Sequence, residues 1–495
     1  MLKIEKQTVF CFVSGEFNLI KSLDKKLTLP LKPEEVSNLR SSPAYDLRGN
    51  SVSLLISPDN RFLTGLLPHV EKILKGLEID YQVVDSSELK KETSFSIDYI
   101  QGLSNNILPG ITLYDYQLST IVKSLIKLRG VVSSPTGSGK TEILAALCKL
   151  LTDLGKRILI VVNKKALMTQ TVKRFRSYGL DAGSVGDNTK DVDHSIVVGI
   201  SNSLYNAIAK KDKAVFPVIR DFDVLLLDEC HHSPCETWSI IGINSNASIK
   251  IGVSATPFSD LNNPDLNDLV LMGLTGDIIC DIPIRYLYEH GYLVKPYIYF
   301  HNINKPNLWM SKNSQWTYVY KKAVTDNDYR NTEIVRLAEE LFNHDRKVLI
   351  MTRQVQHGEL LLEKLKAKNL SCAFYHGTGT DGDEDVEAKL SHAFDNGKNN
   401  IVIATTGIGA EGVDIPVIDA MINAAGGASR KIAIQMLGRS LRLYKGKKNA
   451  VFIDFFDLTH FYLKNHSRLR HDLYSSEGHQ IIGSLSEFWN NWNQL

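Results

Sequence analysis

Cysteine is scarce in this chain. There are six among 495 residues, and no two of them stand in a Cys-x-x-Cys pair. That scarcity argues against a disulfide framework and points to reduced thiols in a cytoplasmic setting. Long apolar runs are missing as well. No stretch approaches the roughly 20 apolar residues of a membrane span, so no membrane partner is expected. The opening MLKIEKQTVFCFVSG has too short an apolar run for a signal peptide. Nor is there an excess of one charge. The formal net charge is +2, and residues 1–110 carry 13 Lys and Arg against 14 Asp and Glu. Without a basic arm, any polyanion must be gripped by local patches. What is present, 43% hydrophobic and 23% charged residues, is ordinary for a globular protein, and the length predicts roughly three domains.

The middle of the chain alternates short apolar runs with helical patterns. The runs are GVVSS (130–134), RILIVV (157–162), SIVVGI (195–200), VLLLDE (224–229) and KIGVSA (250–255). Near-continuous apolar strands of this kind predict a parallel sheet covered on both faces. The pattern then restarts with RKVLIMT (346–352), SCAFYHG (371–377), NIVIATTG (400–407), DAMINA (419–424) and AVFIDF (450–455). Two successive α/β domains are therefore expected, 96–285 and 286–495, joined by a short hinge near 285–300. Residues 1–95 differ. SVSLLIS and IDYQVVD are strand-like and LPHVEKILKGL between them is helix-like, which predicts a small α+β accessory domain.

Two strand ends carry the chemistry. After the GVV run comes SSPTGSGKTEILAALCKLL, a loop that opens an amphipathic helix. The arrangement suits a triphosphate. Gly137 and Gly139 let the backbone turn so that its N–H groups, with Thr136 and Ser138, face the phosphates. Lys140 reaches the β- and γ-phosphates, and the Thr141 hydroxyl can ligate Mg²⁺. Ser134 stands where the general pattern begins with glycine. The second end is VLLLDECHHSPC (224–235). Its cysteines and histidines raise the possibility of zinc, but Cys230-His231-His232 lacks the usual ligand spacing and no second pair lies nearby. Magnesium takes oxygen, which assigns Asp228 to the metal and Glu229 to polarising the attacking water. ATP and Mg²⁺ are the expected cofactors. His231 is expected to hydrogen-bond across a cleft, and His232 and Cys235 to be structural.

These motifs, in this order, resemble those of superfamily 2 helicases and translocases. SSPTGSGKT is similar to motif I, DECH to motif II and SAT (254–256) to motif III. ATTGIGAEGVDIP (404–416) is similar to motif V and QMLGRSLR (435–442) to motif VI. With LYDYQ (113–117), the finer likeness is to the group containing XPB, RecG-like enzymes and the phage UvsW branch-migration helicase. The resemblance implies two tandem RecA-like domains and an ATP-hydrolysing enzyme acting on branched or forked DNA, most simply as a monomer in the cytoplasm of a phage's bacterial host. An RNA helicase, or an ATP-switched clamp that does not unwind, are the other readings.

By the same resemblance, Gln117 would read the adenine edge, and Tyr114 would either stack on the ring or pack in the core. Gly412 and Asp414 would meet the ribose. Arg439 and Arg442 would face the γ-phosphate, Arg442 as the arginine finger. His231, Ser254, Thr256 and Gln435 would couple the domains. Lys164, Lys165, Gln170, Ser201, Arg353 and Thr405 would touch the sugar–phosphate backbone, with little sequence preference. Two stretches lie outside the shared motifs. NLWMSKNSQWTYVYKK (307–322) is either a stacking wedge or a helix that buries its aromatics. SLSEFWNNWNQL (484–495) is expected to be a helix docked on the second α/β domain.

Overall fold

The computed structural model describes residues 1–31, 42–87, 95, 99–100, 102–306, 310–311, 313–376, 393–394, 400–409 and 415–491. The chain divides into two compact units. One comprises Met1–Ser134 and Gly139–Ile282, the other Pro135–Ser138 and Pro283–Leu495.

In the first unit the apolar runs form strands of one large sheet. Among the described residues its order is Thr189–Lys190, Ala182–Gly186, Ile196–Ile200, Ile158–Val162, Val224–Asp228, Ile249–Ser254, Arg129–Ser133 and Ile278–Asp281. Neighbours are parallel except Thr189–Lys190, which returns antiparallel at the edge. Ile158–Val162 is buried along its whole length, as a strand covered on both faces must be. One cover consists of Asp115–Lys127, Lys140–Asp153 and Lys165–Ser177, packed through Ile121, Leu147 and Phe175. The other consists of Ser201–Ala209, Phe216–Asp221 and Glu236–Asn244, packed through Leu204, Ile219 and Trp238. Ala182–Gly186, next to one edge, and Ile278–Asp281, at the other, were not expected, because neither has the continuous apolar run of the central strands.

The N-terminal residues build a four-stranded sheet in the order Arg61–Leu63, Phe10–Gly15, Leu2–Lys6, Tyr81–Asp85. Helices Phe17–Lys26 and Leu67–Gly76 pack on it, the second where LPHVEKILKGL predicts one. SVSLLIS contributes only Ser51–Ser53 to a separate three-stranded sheet. Among the described residues the core of this domain runs on into the rest of the first unit. Leu63 and Leu66 share one buried cluster with Leu269, Met272 and Leu274 of helix Leu266–Leu274. Arg129 ties the junction, donating to the carbonyls of Thr8 at 2.7 Å and Leu274 at 3.2 Å. Gly65 is required there: a Cβ would sit 2.1 Å from the Met272 carbonyl oxygen.

The second unit holds an all-parallel sheet, in the order Cys372–Tyr375, Ile401–Thr405, Val348–Thr352, Ala420–Asn423, Asn449–Asp457, Lys295–Ile303, Gln480–Ile482 among the described residues. The expected hinge at 285–300 is corrected here. Lys295–Ile303 is a nine-residue strand paired along its full length with Asn449–Asp457. The division between units falls at Ile282/Pro283, just before helix Ile284–Glu289. Helix Leu485–Asn491 docks as expected, with Phe488 in the core and Trp489 stacked 3.9 Å from His344. Among the described residues no helix is long and apolar enough to cross a membrane.

Candidate functional site

The sheet order of the first unit decides the site. Val224–Asp228 and Arg129–Ser133 are not adjacent, because Ile249–Ser254 lies between them. Three parallel strands thus end side by side at Asp228, Ser254 and Ser133, the edge of an α/β sheet where ligands collect.

The phosphate loop leaves the third of these ends. Gly137 and Gly139 have φ of +87° and +75°, a region that side chains with a Cβ avoid. Helix Lys140–Asp153 starts directly from the left-handed Gly139. Ser134, the departure from glycine, is fully buried and its N–H donates to the Ser254 carbonyl at 2.8 Å. A small residue is what that enclosed position requires. Lys140 Nζ donates to the Ser134 carbonyl at 3.3 Å and lies 3.9 Å from Glu229. Thr141 is the next residue of the helix and is partly buried.

Asp228 and Glu229 form a tight acidic pair. Glu229 adopts left-handed backbone, φ +53°, and its N–H donates to Asp228 Oδ1 at 3.0 Å. A non-glycine residue held there stores strain of a kind found at functional sites. Burial, and then the Glu229 charge, push the Asp228 carboxyl well above the ordinary carboxylate range, with Lys140 opposing. Two sequestered carboxylates with one lysine leave a site short of positive charge. An oxygen-seeking divalent cation fits that deficit.

His231 Nδ1 lies 2.7 Å from Ser254 Oγ and 3.3 Å from Glu229 Oε2. Ser254 Oγ also accepts from the Thr256 N–H at 3.2 Å. The three first-unit candidates for coupling, His231, Ser254 and Thr256, therefore form one chain of contacts starting at Glu229. The neighbouring side chains turn elsewhere. His232 contacts Asn163 at 3.1 Å and stacks near Trp238; Cys230 is buried and Cys235 exposed. Among the described residues no cluster of His, Cys, Asp and Glu has metal-holding geometry.

Gln117 and Tyr114 flank the same loop. Gln117 Oε1 accepts from the Tyr114 N–H at 2.9 Å, and its Nε2 lies where a Cβ on Gly139 would be, 2.3 Å away. Tyr114 is 41% exposed, so core packing is corrected: its ring faces solvent and stacks near Tyr116. Glu142, in the first turn of the loop helix, was not singled out by sequence. It pairs with Arg174 at 2.5 Å and accepts from Tyr178 at 3.2 Å, linking that turn to helix Lys165–Ser177. Its place three residues after the helix N-cap was the available signal.

Of the backbone-contact candidates, Lys164, Lys165 and Ser201 follow the ends of adjacent strands Ile158–Val162 and Ile196–Ile200. Lys165 is engaged with Asp187 at 2.6 Å, Gln170 is partly exposed, and Ser201 is buried at the start of its helix. In the second unit Thr405 pairs in register with Thr352, so Arg353 and Thr405 come together, Arg353 exposed. Gln435 is buried in helix Arg430–Arg439. Arg439 is the last residue of that helix, and Arg442 lies just beyond the turn that follows it. Gly412 and Asp414 lie outside the described residues.

Comparison with known proteins agrees with this geometry. Residues 110–259 match the family described as type III restriction enzyme, res subunit, and residues 332–444 match the helicase conserved C-terminal domain. The chain belongs to the superfamily 2 helicases. This helicase is 27% identical over 447 residues to the ATP-dependent DNA helicase uvsW of Enterobacteria phage T4, covering 86% of this chain and 85% of that one. It is 25% identical over 422 residues to the DNA 3'-5' translocase XPB2 of Sulfurisphaera tokodaii, covering 77% and 90%. Among solved structures, a fragment of a putative HsdR subunit of a type I restriction enzyme from Vibrio vulnificus shares the fold, with TM-score 0.56, 18% identity and 79% and 70% coverage. The architecture of this helicase is two RecA-like domains preceded by a small α+β domain, and the enzyme hydrolyses ATP.

Proposed function

We propose that this helicase is a DNA translocase that remodels branched DNA, regressing forks, migrating Holliday junctions and unwinding D-loops during phage recombination, repair and replication. The observation that carries the reading is likeness along 86% of the chain to a phage ATP-dependent DNA helicase. The cluster of Lys140, Asp228, Glu229 and His231 supplies the matching chemistry. ATP with Mg²⁺ brings the phosphoanhydride whose cleavage drives the cycle.

The chain's own residues divide that work. The Gly137 and Gly139 turns, with Thr136 and Ser138, cradle phosphate, and Lys140 neutralises it. Thr141 and Asp228 hold the cation. Glu229 takes the proton of the attacking water, while Ser254 sets the His231 ring beside it. Gln117 and Tyr114 receive the base, and Gly412 and Asp414 the ribose. Arg439 and Arg442 supply guanidinium charge to the γ-phosphate. Gln435 and Thr256 relay the state of the site. Lys164, Lys165, Gln170, Arg353 and Thr405 hold the strand. The domains are 1–95, 96–285 and 286–495, the first a DNA-binding accessory. Phe17, Lys21 and Lys25, exposed at four-residue spacing on one helix, give that domain a face suited to backbone and base. The protein acts as a monomer in the host cytoplasm.

The test compares ATPase stimulation by a four-way DNA junction, linear duplex DNA and RNA, alongside triplex displacement. The junction is expected to stimulate most and the third strand to be displaced. Greater stimulation by RNA would overturn the DNA reading. Hydrolysis without displacement would leave a clamp.

A further inference from the structure

The aromatic, lysine-rich stretch 307–322 has no role in the mechanism above. Asn307, Leu308, Trp309 and Lys312 lie outside the described residues. The rest forms a helical turn, Trp316–Tyr320, continued by a wide π-turn, Lys321–Thr325. Val319, Tyr320, Ala323 and Val324 are at most 2% exposed, and Trp316 packs edge-on against His466. The segment is an internal strut of the second unit.

Its middle and its end are tied to loops that leave neighbouring strands. Strands Val348–Thr352 and Ala420–Asn423 are paired, so the loops that follow them start side by side. Thr325 Oγ1 donates to Gln354 Oε1 at 2.9 Å on the first loop. Tyr320 Oη donates to the Ala425 carbonyl at 2.8 Å on the second. The exposed Arg353 guanidinium lies over the Tyr320 ring, 5.5 Å from its centroid.

The second loop, Ala424–Gly427, leads into the helix that ends at Arg439. Most of its anchors are rigid. Arg330 donates to the Ala424 carbonyl at 2.9 Å and Arg470 to that of Gly427, while Asn423 Oδ1 accepts from the Gly426 N–H at 3.2 Å. Both arginines are buried and paired with buried acids, Arg330 with Asp457 at 2.8 Å and Arg470 with Asp454 at 2.9 Å. Breaking such pairs leaves an uncompensated charge, so they do not switch. Ala425 is different. Its carbonyl is held by a phenol whose ring also carries a solvent-exposed cation.

We propose that Tyr320 is a positioning residue that couples Arg353 to the start of the Arg430–Arg439 helix, with Thr325 fixing the far end of the strut. When a nucleic-acid phosphate draws Arg353 off the ring, the phenol–Ala425 contact changes and the helix bearing Arg439 responds. Guanidinium–ring attraction is strong enough to matter and weak enough to be exchanged for a phosphate. The inference rests on the proposed roles of Arg353 on the strand and of Arg439 and Arg442 on the nucleotide.

Tyr320→Phe keeps the ring and deletes only the donor. Thr325→Val keeps the shape and deletes the other tie. Each is measured for melting temperature, for affinity toward a four-way DNA junction without ATP, and for ATPase with and without that junction. The expected result is melting lowered by no more than a few degrees, basal rate and affinity within twofold, and a junction-stimulated rate lowered about fivefold, the worth of one neutral hydrogen bond. If Tyr320→Phe does not fold, Thr325→Val decides alone. Normal stimulation in the folded variants, or basal and stimulated rates falling in equal proportion, overturns the coupling. Arg353→Ala separates the two levels. Raised dissociation constant with normal stimulation in the strut variants overturns the coupling and leaves the strand contact standing. An unchanged dissociation constant in Arg353→Ala removes both.

Discussion

Replacing Gly65 with alanine adds one methyl group where there is no room for it. The new Cβ would lie 2.1 Å from the Met272 carbonyl oxygen, 2.7 Å from that of Gly273 and 2.9 Å from the Gly276 nitrogen. A carbon–oxygen contact relaxes at roughly 3.3 Å, so the worst overlap exceeds about 1 Å. All three atoms are backbone, so no rotamer change relieves it. Gly65 has ordinary negative φ, which removes conformational strain from the account and leaves space alone. The turn Thr64–Leu66 must back away from helix Leu266–Leu274, opening the cluster in which Leu63 and Leu66 meet Leu269, Met272 and Leu274. Overpacking of a tight core costs about 1–3 kcal/mol, and a backbone clash of this depth belongs at the upper end. At about 3 kcal/mol, local opening rises by roughly a hundredfold. Hydrogen exchange should show that acceleration in residues 61–76 and 266–274, with Ile158–Val162 unchanged. Gly273→Ala presses on the same seam from the helix side. Its Cβ would lie 2.8 Å from Leu63 Cβ, which no rotamer change moves, so the same residues should open faster. Equal protection in wild type and Gly65→Ala would refute the shared-core argument.

Two other outcomes are expected. Lys140→Ala and Arg442→Ala should each lose ATP turnover, as measured by phosphate release, and full activity in either would remove the proposed mechanism. Acid should weaken the second unit through His357, which is fully buried and whose Nε2 bonds Asn331 Oδ1 at 2.9 Å. Burial first, then Arg330, lower its pKa to about 3. The unfolded chain therefore binds the proton more readily, and stability is retained above the unfolded value near 6.5 and lost as pH falls below it. Between pH 6.5 and 5 that amounts to roughly 2 kcal/mol. Melting temperatures at pH 7.5 and 5 should differ less in His357→Gln than in wild type, and an identical difference would show that His357 does not titrate this way.

The central strands and the phosphate loop were legible because their physics is local. A strand covered on both faces needs an unbroken apolar run, and a loop that wraps phosphate needs glycines beside a lysine. Strands near the sheet's edges were not legible. Ala182–Gly186 and Ile278–Asp281 carry mixed residues, and the second is only partly covered. Lys295–Ile303 falls partly inside the expected hinge near 285–300 and was not read as a strand; its proline and lysine stand at the strand's start, where they are tolerated. Buried charge was invisible for a different reason. Nothing local marks Arg330 or Arg470 as interior, since their acids, Asp457 and Asp454, come from another part of the chain. Lys250 likewise reads as a surface residue inside KIGVSA. It is buried and donates to the carbonyls of Gly242 and Ser245 at 2.7 and 2.9 Å, at the end of helix Glu236–Asn244. The Glu229–His231–Ser254 chain needed the sheet order, because only an intervening strand brings Ser254 between the other two ends.

The pairing of Lys295–Ile303 also sets an order of events during synthesis. Its two partners, Asn449–Asp457 and Gln480–Ile482, leave the ribosome well after it does. The first unit, by contrast, has all the strands of its large sheet once Ile278–Asp281 has emerged. A nascent chain can therefore carry a finished N-terminal half while Tyr297, Ile298 and Ile303, all interior residues later on, wait with neither neighbour in place. Such an unpaired strand is the natural target for chaperones and the natural seed for aggregation when translation stalls.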